Sequence, residues 1–146
     1  MKYKLFTPTL ISLFLMLFIM KPTTKKIYDV SVTLHGLKNT KGNVIVAFFN
    51  SKKRFLKHPV QHKIVPVTQK DTLTVHFDHI SEGNYAVSVI HDENQNQKLD
   101  TNFLGIPKEG YGFSNNPKIR MGPASFSECK FAVGDQNLNI QIKMRY

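Results

Sequence analysis

Beyond an apolar N-terminal run, apolar and polar residues alternate along most of this chain, and that period of two commits it to β-strands. Val30, Val32 and Leu34 alternate with Ser31, Thr33 and His35, and Leu73, Val75 and Phe77 alternate with Thr74, His76 and Asp78. Successive side chains of a strand point to opposite faces, so such a row buries one face and wets the other. Val44–Phe49 and Tyr85–Ile90 are apolar on both faces, which predicts central strands. His62–Val67 is a short strand, moved toward an edge by Pro66, which has no N–H for a ladder. Cys129, Phe131 and Val133 read as one strand, and Leu138, Ile140, Ile142 and Met144 as the last. Gly36 and Asn39–Asn43 supply a turn, while Lys52–Lys57 is a basic segment that can form a helical turn. About seven short strands with turns between them, and no long helix, predict an all-β fold. The expected architecture is an antiparallel two-sheet β-sandwich with one long irregular loop.

The N-terminus has a different pattern. Met1-Lys2-Tyr3-Lys4 is basic, and Leu5–Met20 is almost continuously apolar. A positive start followed by such a run resembles a secretory signal and is shorter than the roughly 20 residues that span a bilayer. Phe18-Ile19-Met20-Lys21 lacks the small residues preferred at a cleavage site, so cleaved leader and uncleaved anchor both stay open. Residues 1–23 are therefore expected to be a signal peptide or membrane anchor and 24–146 one domain, exported to the periplasm or the exterior. Membrane contact is expected only through the N-terminal segment.

Lys and Arg number 20 against 10 Asp and Glu, giving a net charge of +10, but no block of five like charges occurs. The densest cluster, Ser51–His58, reads as a solvated amphipathic turn with Phe55 and Leu56 inward. No nucleic-acid motif accompanies it, so nucleic acid is not an expected partner. The single cysteine, Cys129, excludes an internal disulfide and reads as an inert core thiol.

The segment with most chemistry follows the strand at Tyr85–Ile90. In His91-Asp92-Glu93-Asn94-Gln95-Asn96-Gln97-Lys98-Leu99-Asp100-Thr101-Asn102, oxygen-bearing side chains recur at alternate positions. Asp92, Asn94, Asn96 and Asp100 stand at the first, third, fifth and ninth places of a loop, a spacing that can point several oxygens at one Ca²⁺. The Lys98 backbone carbonyl would add a fifth ligand, and Glu109 or Asn102 are further candidates. The pattern departs from an EF-hand loop in having Gln97 rather than glycine at the sixth place, Phe103 rather than glutamate at the twelfth, and no flanking helices. With so few carboxylates, binding should be weak, with a Kd of about 10⁻⁴–10⁻³ M. The competing reading is a hairpin loop whose Asp and Asn side chains bond their own backbone.

Next comes Gly105–Asn116, without a strand pattern. Tyr111 and Phe113, set between Gly110 and Gly112, could form a ligand platform beside Asn115 and Asn116 for an envelope glycan, peptide or protein. They could equally pin the loop to the sandwich. Ser114, His91 and Asp92 or Asp100 are the residues a hydrolase in this region would use, but no nucleophile elbow or HExxH spacing joins them, and an enzyme is not expected.

Ser81-Glu82-Gly83-Asn84-Tyr85-Ala86-Val87 resembles the Gly-x-Tyr-x-Val corner of transthyretin-like and carboxypeptidase-regulatory-like sandwiches. Taken with Thr40–Asn50, His91–Asn102 and Gly105–Asn116, it makes the chain from about Tyr28 to Tyr146 resemble the bacterial exported family known as domain of unknown function 2141. The resemblance implies an exported sandwich of the transthyretin-like or immunoglobulin-like kind and no established activity. The expected role is a non-catalytic binding or structural module of the cell envelope, with possible Ca²⁺ in its loop. A hydrolase and a purely structural, ligand-free sandwich are the alternatives.

Overall fold

The structure is a computed structural model describing residues 25–146. The expected leader and the expected domain start at Thr24 lie outside the described residues.

Among the described residues the strands are β1 (Ile27–Leu37), β2 (Asn43–Phe49), β3 (Gln61–Pro66), β4 (Asp71–Ser81), β5 (Gly83–Asp92), β6 (Gly110–Phe113), β7 (Phe131–Val133) and β8 (Leu138–Lys143), with one short helix, α1 (Phe126–Cys129), before β7. They form two sheets, one ordered β4-β1-β8 and the other β3-β2-β5-β6, with β7 also pairing with β5. The fold is a β-sandwich, as the alternation predicts. Pro66 ends an edge strand, where its missing N–H removes no ladder bond.

The period of two explains the core. Val30, Val32 and Leu34 of β1, with Val75 and Phe77 of β4, face Val44, Val46 and Phe48 of β2 and Tyr85, Val87 and Val89 of β5 across the sandwich. Phe48 and Phe77 meet with ring centroids 4.6 Å apart. The opposite face of the larger sheet carries Ala47, Phe49, Ala86 and Phe113, and these are buried as well. Phe55 from the turn after β2, with Ala124 and Cys129 from the segment after β6, closes a second core over them. This is why β2 and β5 are apolar on both faces, and why the 114–130 segment has no strand period of its own.

Four readings of the sequence are corrected. The sandwich is not wholly antiparallel, because β8 runs parallel to β1 in register Val30–Leu138 through His35–Lys143. Cys129 does not belong to a strand. Ser125 caps α1, its hydroxyl accepting from the Glu128 N–H while the Glu128 carboxylate accepts from the Ser125 N–H, and this capping box turns Cys129 into the second core while Val133 faces the first. Gly110–Phe113 is a strand rather than loop, its pattern hidden because two of its residues are glycines. In the basic turn Phe55 is buried but Leu56, at φ +58°, is exposed.

Candidate functional site

In the β2–β5 pair Asn43 lies opposite Asp92 and Phe49 opposite Ala86. The segment leaving β5 at Asp92 therefore emerges at the end of the sandwich where β2 begins, away from the basic turn. The Ile27 end of β1, paired with Ser81, is at the far end, near the start of β5.

His91, fully buried, is the last anchor of β5 before the loop. Its Nε2 lies 2.8 Å from the Lys41 carbonyl oxygen, which can only accept, so Nε2 carries the proton. Nδ1 shares a hydrogen bond of 2.7 Å with the Tyr146 hydroxyl, and that hydroxyl accepts from the Lys38 N–H at 3.1 Å. Both imidazole nitrogens are engaged, and the ring joins the β1–β2 turn to Tyr146. Burial pushes the Tyr146 phenol above its ordinary pKa, the Lys38 N–H opposes that rise, and the Glu93 charge adds to it.

Asp92 is fully buried too. One of its oxygens accepts from the Asn96 N–H at 3.0 Å and the other from the Gln97 N–H at 2.8 Å. The Asn94 side-chain oxygen accepts from Asn96 N–H at 3.1 Å, and that of Asn96 accepts from Lys98 N–H at 2.9 Å. Each is an Asx-type turn closing two residues on. Gln95 and Gln97 take φ of +61° and +62° so that the loop can close on Asp92. Gln97 thus adopts the left-handed conformation that glycine provides at the sixth place of an EF-hand loop.

The side-chain amides of Asn94 and Asn96 converge on Asp100, donating to its two oxygens at 2.7 and 3.0 Å. Glu109, 5% exposed, clamps the loop ends, accepting from the Glu93 N–H at 2.9 Å and the Asp100 N–H at 3.0 Å. The loop is thus a closed, hydrogen-bonded unit around two buried carboxylates. Among the described residues no three His, Cys, Asp or Glu side chains form a preformed metal set. The oxygen donors available at the loop are two carboxylates linked through Asn96, the amides of Asn94 and Asn96, and the Lys98 carbonyl.

The residues expected to form a ligand platform are placed otherwise. Phe113 is buried in the second core, with Tyr111 packed beside it at a centroid distance of 6.1 Å. Gly110 and Gly112 do leave room for close approach, but what approaches is the chain's own C-terminus. A Cβ at Gly110 would lie 2.6 Å from the Tyr146 ring and one at Gly112 2.6 Å from Ile142. Asn115 donates to the Glu128 and Lys130 carbonyls at 3.2 and 2.9 Å. Asn116 donates to the Gln141 carbonyl and accepts from the Lys143 N–H, at 2.9 and 2.7 Å. All four residues hold the loop to the sandwich.

Ser114 is also fully buried, donating to the Cys129 carbonyl at 2.6 Å and accepting from the Val87 N–H at 2.9 Å. It shares no hydrogen bond with His91. The burial of Cys129, reinforced by the nearby Glu128 charge, pushes its thiol up to about 11. The partnership of His91 with Tyr146 spans 55 positions and that of Asp100 with Glu109 spans 9, and neither has a local signature in the sequence.

A family model described as an uncharacterized protein conserved in bacteria, DUF2141, matches residues 32–141, from β1 to β8. The chain belongs to the DUF2141 family. The matched region includes the whole Asp92–Glu109 loop and stops short of Tyr146. Searches of curated proteins and of solved structures return no match.

Proposed function

We propose that this DUF2141 chain is an exported, non-catalytic module of the cell envelope whose Asp92–Asp100 loop holds a structural Ca²⁺ ion. The observation that carries the reading is the convergence of Asn94 and Asn96 on Asp100, in a loop already wound around Asp92. The Asn94 and Asn96 side-chain oxygens each accept one N–H bond and keep a second lone pair, so both can ligate a cation beside Asp100 without giving up their turns. Asp92 can accept its two N–H bonds and still offer lone pairs. The Lys98 carbonyl and water complete an all-oxygen set suited to a hard cation. The positive φ of Gln97 supports the same reading, because it removes the main backbone departure from a Ca²⁺ loop.

A non-catalytic role is supported by the hydrogen bonds of the two candidate catalytic side chains. Both imidazole nitrogens of His91 and the hydroxyl of Ser114 are committed to partners within the fold. An envelope glycan, peptide or protein would meet the outer surface of the ordered loop, since Phe113, Asn115 and Asn116 are engaged elsewhere.

Calorimetric titration tests the proposal. Ca²⁺ titrated into the protein should bind with a Kd of about 10⁻⁴–10⁻³ M. Asp100→Asn, which keeps the shape but removes a charge, should weaken binding at least about tenfold, equivalent to 1.4 kcal/mol. Equal heats in wild type and variant would sink the assignment.

A further inference from the structure

Beyond the ion, the same loop carries an apolar knob. Between Asp100 and Lys108 the chain forms a small hairpin, closed by a bridge between Thr101 and Pro107 and by the Lys108 N–H donating to the Asp100 carbonyl at 2.8 Å. At its tip Phe103, Leu104 and Ile106 are 94%, 68% and 55% exposed. Three large apolar side chains side by side in water call for an occupant.

The backbone of the tip indicates which. The Leu104 and Ile106 N–H groups donate to the Asn102 side-chain oxygen at 2.9 and 3.0 Å. The Gly105 N–H donates to the Asn102 carbonyl at 3.0 Å, and the Asn102 N–H to the Ile106 carbonyl at 2.8 Å. Pro107 has no N–H. The turn therefore supplies partners for nearly all its own donors, while the Phe103, Leu104 and Gly105 carbonyls have none within it, a balance suited to the interfacial layer, where headgroup water reaches carbonyls, rather than to the hydrocarbon centre. A protein partner would be recognised through directional contacts, and this tip offers few free donors for them. Around its base, Lys98 and Lys108 are exposed. The carboxylates of the same loop are withdrawn from water, Asp92 and Glu109 buried and Glu93 and Asp100 half-buried, so the fully exposed charges beside the tip are the two lysines. An apolar tip with two exposed lysines at its base, on a chain of net charge +10, fits a bilayer surface bearing anionic headgroups.

We propose that the Phe103–Ile106 tip inserts into the surface of an anionic phospholipid membrane, with Lys98 and Lys108 at headgroup level. This second membrane contact adds to the one expected of the N-terminal segment, and it does not depend on the ion, since the tip is closed by its own hydrogen bonds.

The chain contains no tryptophan, so Phe103→Trp places a single indole at the tip of the full-length protein. Its emission is read with vesicles of phosphatidylcholine alone or mixed equally with phosphatidylglycerol, with and without brominated acyl chains. The described chain begins at the far end of the sandwich, so a leader held in the vesicle does not by itself bring the tip to lipid. The proposal expects a blue shift and bromine quenching in the mixed vesicles, both several-fold weaker in phosphatidylcholine alone and when Lys98→Glu and Lys108→Glu are added. It is overturned by a water-like emission with both vesicles, by quenching indifferent to headgroup charge, or by a blue shift that appears without lipid and grows with protein concentration, which would mark a second copy as the occupant.

Discussion

At Gly42 the chain turns with φ +62° while passing so close to the loop that a Cβ would sit 2.0 Å from the Asp92 carbonyl oxygen and 2.7 Å from the Glu93 Cα. Neither neighbour is a flexible side-chain end, so Gly42→Ala must move backbone at the point where His91 and Asp92 are held. Its expected cost is above about 3 kcal/mol, read as a lower midpoint in urea with an unchanged slope. Glu109 is the second critical residue. Glu109→Gln keeps the volume but sets an NH₂ group against one of two backbone N–H donors, which should cost about 2–3 kcal/mol by the same measurement. Cys129 offers a test of burial by reactivity. With its thiol near 11 and its side chain in the second core, it should resist alkylation at about pH 8 in the folded protein and react fully in denaturant. Because the folded value is raised, the neutral thiol's contribution to stability is fully present below the ordinary thiol pKa and is lost as pH climbs toward 11. Such residues show how far a sequence can be read. Cys129 was legible as a buried thiol, but its place at the end of a helix was not, because the capping box from Ser125 to Glu128 outweighs an apolar alternation of only three residues.

Among the elements, β1, β4 and β8 lie where their period of two puts them, and β2 and β5 where runs apolar on both faces do, so these five were legible from residues alone. β6 was not legible, because glycines replace the inward residues and Tyr146 and Ile142 fill the space. The parallel pairing of β8 with β1 also leaves no local trace, since the alternation of a strand is the same in either direction. Asn116 covers the outer edge of β8 as a strand residue would, offering one donor and one acceptor two residues apart. An uncovered edge invites pairing with another chain. Asn116→Ala should cost about 1–2 kcal/mol, and the amide hydrogen of Lys143 should exchange faster than in the wild type while those in the middle of β1 keep their protection. Equal protection of Lys143 in both proteins would mean the edge is held by other means.

On the scale of the molecule, the two cores of the larger sheet divide the labour. The inter-sheet core supports the sandwich, while the second core binds the 114–130 segment and leaves the opposite end free to carry the Asp92–Glu109 loop. The loop's position at the end of β5 was readable from the sequence, as was its choice between an ion and an Asx-turn network. The structure shows the network in full. On the account proposed here the two are compatible, the hydrogen bonds setting the donors around the place a cation would take. The most direct test is the melting temperature of the protein in EDTA, in CaCl₂ at about ten times the dissociation constant, and in MgCl₂ at equal concentration. Binding to the folded state alone should add about 1.4 kcal/mol and raise the midpoint by roughly 5 °C in CaCl₂, with little change in MgCl₂ and at most about a third of that rise in Asp100→Asn. An equal midpoint in EDTA and CaCl₂, or the same rise in Asp100→Asn, would contradict the account and leave the loop as a hydrogen-bonded turn without an ion.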